Sequence, residues 1–449
     1  MSTKKPTADD ILRPIKHTSK RYYALFILAA AAFGAFSVGW GIQLSEGMVV
    51  TGLSDWGSGG GVTWGLYIGA FIWWVGIAHG GIILSAAVRL LGMDRYMPVA
   101  RLAEMLTLAG LSAAGLYIVV HVGRPDRIVT SVIPAYLTTV QTSPLVWDMT
   151  VITLYFVMTA TYLFLTLRYD VTRLRDQLPN HFEPIYKIIT IGYTKKEDEI
   201  IERMVWWLAA AIIILAPLLL HGGVIPWLFA LLPSMPGWFS AVQGPQFLTI
   251  ALTSAISGVI IASYAFRRSY GWEHIITDDI FRGLTLWLGF FSLLFIWLQL
   301  QQVISGTFHP TTDHAQVTEA MIMHPVYQFA IVTVFIVLVY TFVQGIRPSV
   351  FSIRRSLVAA VGVLTATLWE KILFVVEGLM YPTFDLYTAV PGEYFPSLIE
   401  MVSVLGTIGL VTLIFMIFAK IVPVVELHAI EHLQEHEDEH AHETEVTAE

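Results

Sequence analysis

The sequence predicts an all-α integral membrane protein of about ten transmembrane helices, and three observations predict it. Of its 449 residues, 55% are hydrophobic and only 13% charged, with a mean hydropathy of +0.66, far too apolar for a soluble fold of this length. The apolar residues gather into runs long enough to cross about 30 Å of hydrocarbon: 22–44, 62–90, 99–122, 144–168, 204–230, 246–267, 281–306, 322–345, 351–380 and 398–424. Charge then sorts the connections: with the N-terminus cytoplasmic, inner segments hold 23 of the 26 Lys and Arg, leaving Arg124 and Arg127 outside and Lys371 inside a helix. That asymmetry places both termini in the cytoplasm and the protein, as a multi-pass chain, in the cytoplasmic (inner) membrane.

What the chain lacks narrows its chemistry. With no cysteine it can hold neither a disulfide nor a thiolate zinc site nor a cysteine-ligated iron–sulfur cluster, so any such cluster belongs to a partner. Its net charge of −8, with basic residues dispersed among loops, carries no nucleic-acid footprint.

The elements follow in order. Residues 1–21 are polar and Lys-rich rather than the apolar core of a signal peptide, and read as a cytoplasmic N-terminal segment. Residues 22–425 form the membrane domain, and 426–449 an acidic, His-rich cytoplasmic tail. The first helix is a peripheral addition. The second carries His79 within WWVGIAHGG, where Gly76, Gly80 and Gly81 permit close helix packing; a packed histidine and a proton relay are both open readings of His79. The third holds Glu104 in its inner half and ends at His121. It leads into HVGRPDR, whose Arg124 and Arg127 read as loop anchors, with Asp126 their local counter-charge, or as a face for an acidic partner. The fourth opens with SPLVWD and so places Asp148 at its outer end. Residues 169–202 form a charged surface elbow, and the fifth helix holds His221 in its outer part.

Helices two to five and six to nine are two sets of four that enter the membrane from the same side, so any duplication would be a parallel repeat. The ninth carries Glu370, Lys371 and Glu377. Glu370 and Lys371, being adjacent, point about 100° apart on a helix, so each is expected to need a partner on another helix. Outer loops such as Ile225-Pro226-Trp227, Met235-Pro236-Gly237-Trp238 and Tyr394-Phe395-Pro396 read as interfacial belt residues, and Glu400 as a helix cap. In the tail, His428, His432, His436 and His440 would share one helix face. A solvated acidic tail explains them without a metal, because nothing closes the coordination sphere.

Ionisable groups inside hydrocarbon cost roughly 2.5–3.5 kcal/mol each, which makes them functional candidates. The outer ones, His121, His221, Asp148 and Glu370, suggest a ligand site, and the inner ones, His79 and Glu104, a route toward the cytoplasm. His121 and Asp148 stand at similar depth on consecutive helices and suit a quinol pocket, because oxidising a quinol releases two protons that need acceptors near each ring oxygen. A structural pair that caps helix ends and pins a loop is the competing reading. A haem clamped by two of His121, His221 and His324 is the less economical one, since no helix repeats the histidine spacing of a two-haem cytochrome b. Ten helices with buried charges also suit a secondary transporter, but Gly/Pro-interrupted helices in corresponding positions of two halves are missing. A non-catalytic membrane anchor for an external enzyme is the third class.

The stretches Thr63-Trp64-Gly65, FIWWVGIAHGG, HVGRPDR, SPLVWD, PGWFSAVQGPQF and Tyr394-Phe395-Pro396-Ser397-Leu398-Ile399-Glu400 resemble the NrfD/PsrC (polysulfide reductase NrfD-like) family of quinone-interacting membrane subunits. SPLVWD and WWVGIAHGG favour its ten-helix branch, which includes the ActC type of alternative complex III and DsrP-like subunits. The residues Asp126-Arg127 depart from the aromatic expected after the proline in the ActC type. The resemblance implies two four-helix bundles, helices 2–5 and 6–9, with two peripheral helices. It implies a menaquinol or quinone site near the outer face, no haem or iron–sulfur cluster in this chain, and a place in a respiratory or photosynthetic electron-transfer complex with proton translocation as a candidate coupling. The implied partners are a peripheral ferredoxin-like iron–sulfur subunit, with molybdopterin-type or cytochrome c subunits and a second NrfD-like subunit as further candidates. By motif, His121 and Asp148 become the quinol-site proton acceptors and His79 part of the internal polar pathway. Glu104, Arg124, His221 and Glu370 join them by position alone.

Overall fold

The computed structural model describes residues 6–53, 61–215, 225–309, 311–381 and 393–431, and among these the secondary structure is helical throughout, without a strand. Ten main helices correspond to the ten apolar runs: α1 (Lys20–Glu46), α2 (Leu66–Leu90), α3 (Met97–His121), α4 (Pro144–Arg173), α5 (Glu197–Leu215), α6 (Gln243–Tyr270), α7 (Asp278–Thr307), α8 (Pro325–Ile346), α9 (Ile353–Met380) and α10 (Leu398–Ile421). Among the described residues nine are long and apolar enough to span a membrane, all but α5. The expected fifth span, 204–230, includes residues 216–224, which lie outside the described ones; a short helix, Ile225–Ala230, follows them.

Packing closes two rings of four. In the first, α2 packs on α3, α3 on α4, α4 on α5 and α5 on α2; in the second, α6 packs on α7, α7 on α8, α8 on α9 and α9 on α6. The rings meet where α2 lies against α6 and α9, so α2 is buried on nearly all sides. Its glycines explain how. A Cβ at Gly80 would sit 2.5 Å from the Ala251 carbonyl oxygen on α6, and one at Gly81 2.9 Å from the Ala103 oxygen on α3, so only a residue without a side chain allows both approaches. The first and tenth helices pair with each other, and α10 also packs on α3. The expected bundles and flanking helices are therefore present.

Three local readings change. Helix α8 starts at Pro325 rather than 322, because the residue before a proline is driven out of the helical region. His324 takes that place at ψ 128°, and its Nδ1 accepts from the Val326 N–H at 3.2 Å; Thr312–Met323 is a separate helix. The N-terminal segment carries an amphipathic helix, Ala8–Lys16, laid across the inner loops: Trp272 Nε1 donates to the Asp10 carbonyl (3.0 Å) and Lys420 Nζ to the His17 carbonyl (2.7 Å). The tail does not begin as solvated chain at 426, since Glu426, Leu427, Ala429 and Ile430 are buried against the inner end of the first ring. His432, His436 and His440 lie outside the described residues.

Candidate functional site at the outer end of the first bundle

His121 is the last residue of α3, where the chain turns away through Gly123 at φ +70°. The Nδ1 of His121 is buried without a hydrogen-bond partner among the described residues, and its ring meets the Trp64 indole edge-on, with centroids 6.5 Å apart. Trp64 stacks on Trp238 (5.7 Å, 22°), and Phe229 stands edge-on to both. From Phe229 the aromatic contacts continue to Phe374 on α9 and Phe247 on α6. A wall of rings thus runs from the first bundle into the second.

It ends on a cation. Lys371 Nζ lies 3.9 Å from the Phe247 ring centroid and 3.2 Å from Glu370 Oε2. The two neighbours therefore pair after all: the Cα directions diverge, but both side chains are long enough to curl back to one point. Glu370 Oε1 also accepts from Gln299 Nε2 on α7 (3.2 Å), and Tyr327 on α8 donates to Gln299 Oε1 (3.3 Å). Glu370 thus belongs to a polar cluster in the second bundle rather than to the His121 region.

Asp148 enters from α4, one turn past Pro144. It is 1% exposed, and neither carboxylate oxygen has a hydrogen-bond partner among the described residues. No hydrogen bond or ion pair joins it to His121 among them either. An unpartnered carboxylate in such surroundings is costly, which makes Asp148 a candidate for the functional site. Below it on α4, Tyr155 and Tyr162 follow at seven-residue steps, about 10 Å each and nearly the same face. The hydroxyls of Tyr155 and Thr159 are buried without a hydrogen-bond partner among the described residues, and Tyr162 lies beside Arg89, whose guanidinium is 5.5 Å from its ring centroid. The Tyr155 ring lies 4.9 Å from that of His79, which α2 buries completely.

The column reaches an ionic cluster at the inner end. Ser85 donates to Glu104 Oε1 at 2.7 Å, leaving Oε2 without a hydrogen-bond partner among the described residues. Arg89 stands 3.8 Å from Glu104 and pairs closely with Glu426, and Arg101 pairs closely with Asp170 while donating to the Pro423 carbonyl at 3.2 Å. In the sequence Arg89 and Arg101 stand out only as inner-side charges, and Asp170 and Glu426 escape notice as their partners. Nothing in the local pattern announces a contact made across more than three hundred residues.

The remaining candidates fall elsewhere. Arg124 forks onto Asp126 in two bonds of 2.9 and 2.8 Å at the exposed surface, an arrangement that holds Asp126 below the ordinary carboxylate range; it anchors the turn and does not reach the buried groups. His221 lies outside the described residues. Two residues read as interfacial belt are something else: Trp238 is buried in the aromatic wall, and Tyr394 is buried, donating to Glu400 Oε1 (2.7 Å) and accepting from the Leu66 N–H (2.7 Å). Glu400 does cap α10, through a reciprocal box with Ser397. Trp227 and Phe395 remain exposed, as a belt requires.

Comparison with known proteins gives the arrangement its relatives. A selenate reductase subunit of Mesobacillus selenatarsenatis is 24% identical over 430 residues, 90% of this chain and 94% of that one. A putative dimethyl sulfoxide reductase membrane subunit of Halobacterium salinarum is 31% identical over 242 residues, 53% of this chain and 49% of that protein, so the match spans about half the length of this relative. The family model described as Polysulphide reductase, NrfD, matches residues 56–383. That match covers most of the chain, which therefore belongs to the NrfD polysulphide reductase family.

Proposed function

We propose that the chain is the quinol-interacting membrane subunit of an oxidoreductase complex in the cytoplasmic membrane, with menaquinol as its substrate and His121 and Asp148 as the proton acceptors. The observation that carries this is Asp148, a buried carboxylate with both oxygens unpartnered among the described residues, beside a bundle end that also buries an unpartnered His121 Nδ1. A quinol entering from the lipid gives up two protons and two electrons. The His121 ring nitrogen and the Asp148 carboxylate would take one proton each, while the electrons leave for the nearest cluster of a peripheral iron–sulfur subunit. The aromatic wall of Trp64, Trp238 and Phe229 supplies a flat apolar surface for the ring and keeps water from the acceptors. The relatives' names, subunits of dimethyl sulfoxide and selenate reductases, support quinol oxidation feeding an external reductase, with molybdopterin-type subunits the natural further partners.

Proton movement is the second part of the reading. Asp148, Tyr155, Tyr162 and Glu104 mark a polar line through the first bundle, with His79 beside it, along which protons would travel between the outer site and the inner face. The test begins with gentle purification from the native membrane. Co-purifying iron–sulfur subunits whose clusters are reduced by a quinol analogue, and are no longer reduced in Asp148→Asn, support the reading. Clusters reduced equally well in Asp148→Asn would leave the chain an anchor.

A further inference from the structure

A cavity of about 240 Å³ opens at the outer end of the second bundle, away from His121 and Asp148. Three elements wall it: the segment 236–242 before α6, the last turns of α7 from Gln302 to Gly306, and the separate helix Thr312–Met323. Its volume is below the roughly 300–1,000 Å³ of pockets for drug-sized ligands, which suits a head group of one or two rings without its tail. Apolar side chains, Phe239 and Val317 among them, line most of it, and a few polar groups converge there: the Gln302 amide, the Ser240 hydroxyl and the rings of His309 and His314.

These polar groups are arranged to meet oxygen atoms on a flat ring. The two imidazoles lie face to face, with centroids 3.8 Å apart and planes 31° from parallel. His309 Nδ1 is engaged by Thr311, at 2.9 Å from its Oγ1 and 3.3 Å from its N–H, which leaves Nε2 to face a ligand. The Gln302 amide and the His314 ring nitrogens make no hydrogen bond among the described residues, so both are available to a ligand. Ile304 near the end of α7 and Phe308 just after it, both outside the pocket, are exposed apolar side chains, a surface along which an isoprenoid tail would lie in lipid.

We infer that this pocket is a second quinone head-group site, in which Gln302 and the His309/His314 pair hydrogen-bond the ring oxygens. It rests on the reading that the protein meets membrane quinone, and it adds a place for that molecule outside the reacting region. The segment 236–242 links the two places: Trp238 belongs to the aromatic wall beside His121, while its neighbour Phe239 lines the pocket. A head group held here would stand at the lipid boundary, ready to exchange with the pool.

The experiment is a calorimetric titration of the purified complex in nanodiscs with menadione, a tail-less naphthoquinone. Two binding events are expected in the wild type. Gln302→Leu should weaken one about tenfold, the worth of one good hydrogen bond, and His314→Ala should weaken the same one, while Asp148→Asn affects the other. Phe239→Ala, a change at the pocket's apolar wall, checks the assignment should either polar variant fold poorly. A single event untouched by the three pocket variants and lost in Asp148→Asn overturns the inference and leaves the proposed function standing. A single event lost only in the pocket variants upholds the inference and removes the reading of Asp148. No saturable binding in the wild type overturns both.

Discussion

The indoles of Trp64 and Trp238 stack 5.7 Å apart with their planes 22° from parallel, although one precedes the first bundle's opening helix and the other the second's. This contact joins the two rings of helices at their outer ends, beside His121. It is tightly fitted from behind: Trp238 Nε1 donates to the Phe374 carbonyl at 2.9 Å, and a Cβ on Gly378 would fall within the space the indole occupies.

Gly378→Ala is therefore expected to displace Trp238 and destabilise the protein by about 1–3 kcal/mol, the usual cost of overpacking. A lowered melting temperature of the solubilised protein, accompanied by slower quinol-dependent reduction, is the expected result. An unchanged melt would mean that the second bundle yields at this point.

The ionic cluster at the inner end predicts an asymmetry between two carboxylates. Glu426→Ala removes the close partner of Arg89 and leaves a buried guanidinium short of charge, a loss of about 3–5 kcal/mol. Glu104→Gln keeps an acceptor for the Ser85 hydroxyl and should cost much less. Thermal melts of the two variants side by side decide between this and a cluster in which Glu104 is the principal partner.

Glu104→Gln also tests the proton route. Proton uptake from the inner face should be abolished in vesicles while quinol oxidation in detergent persists; Tyr155→Phe and Tyr162→Phe should slow uptake in the same assay. Uptake at the wild-type rate in all three would remove the first bundle as a route.

Two groups outside the spans give pH expectations of the same sign. Asp126 is held below its ordinary value of 3.8, first by its hydrogen bonds from Arg124, so the fork stabilises the turn above that value and is lost only as pH falls through the lowered one. Proteolysis at the HVGRPDR turn should thus stay constant across the neutral range and rise only in strong acid. His314 is lowered from 6.5 by burial and by His309 beside it, with Asp313 opposing. Its ring therefore stays neutral at neutral pH, and protonation sets a charge against His309 in the face-to-face pair, so menadione binding at the second-bundle pocket should hold at neutral pH and weaken as pH drops through the range below 6.5.

The helices and their grouping into two sets were legible because each span writes its length and sidedness into consecutive residues. His121 and Asp148 were legible as candidates because a charge inside an apolar run is conspicuous. Trp64 and Trp238 were not, because an outer-loop tryptophan looks the same whether it faces lipid head groups, as Trp227 can, or a buried ring. The Glu370–Lys371 pair was misread for a related reason: helix geometry fixes where Cβ points, not where a long side chain ends. The seven-residue series Asp148, Tyr155, Tyr162 was present in the sequence and could have been read as one face of α4. The partners of Arg89 and Arg101 needed the fold.

The docking of Glu426 also sets an order of events during synthesis. Arg89 enters the membrane with α2, and until residue 426 has been made the carboxylate at hand is Glu104, 3.8 Å away in the finished fold. Arg101 can settle earlier, as soon as α4 delivers Asp170. Until residues 422–431 fold back beneath it, the first four-helix ring lacks the close partner of Arg89. A chain cut just short of Glu426 is therefore expected to carry every described helix yet to lack the close partner of Arg89.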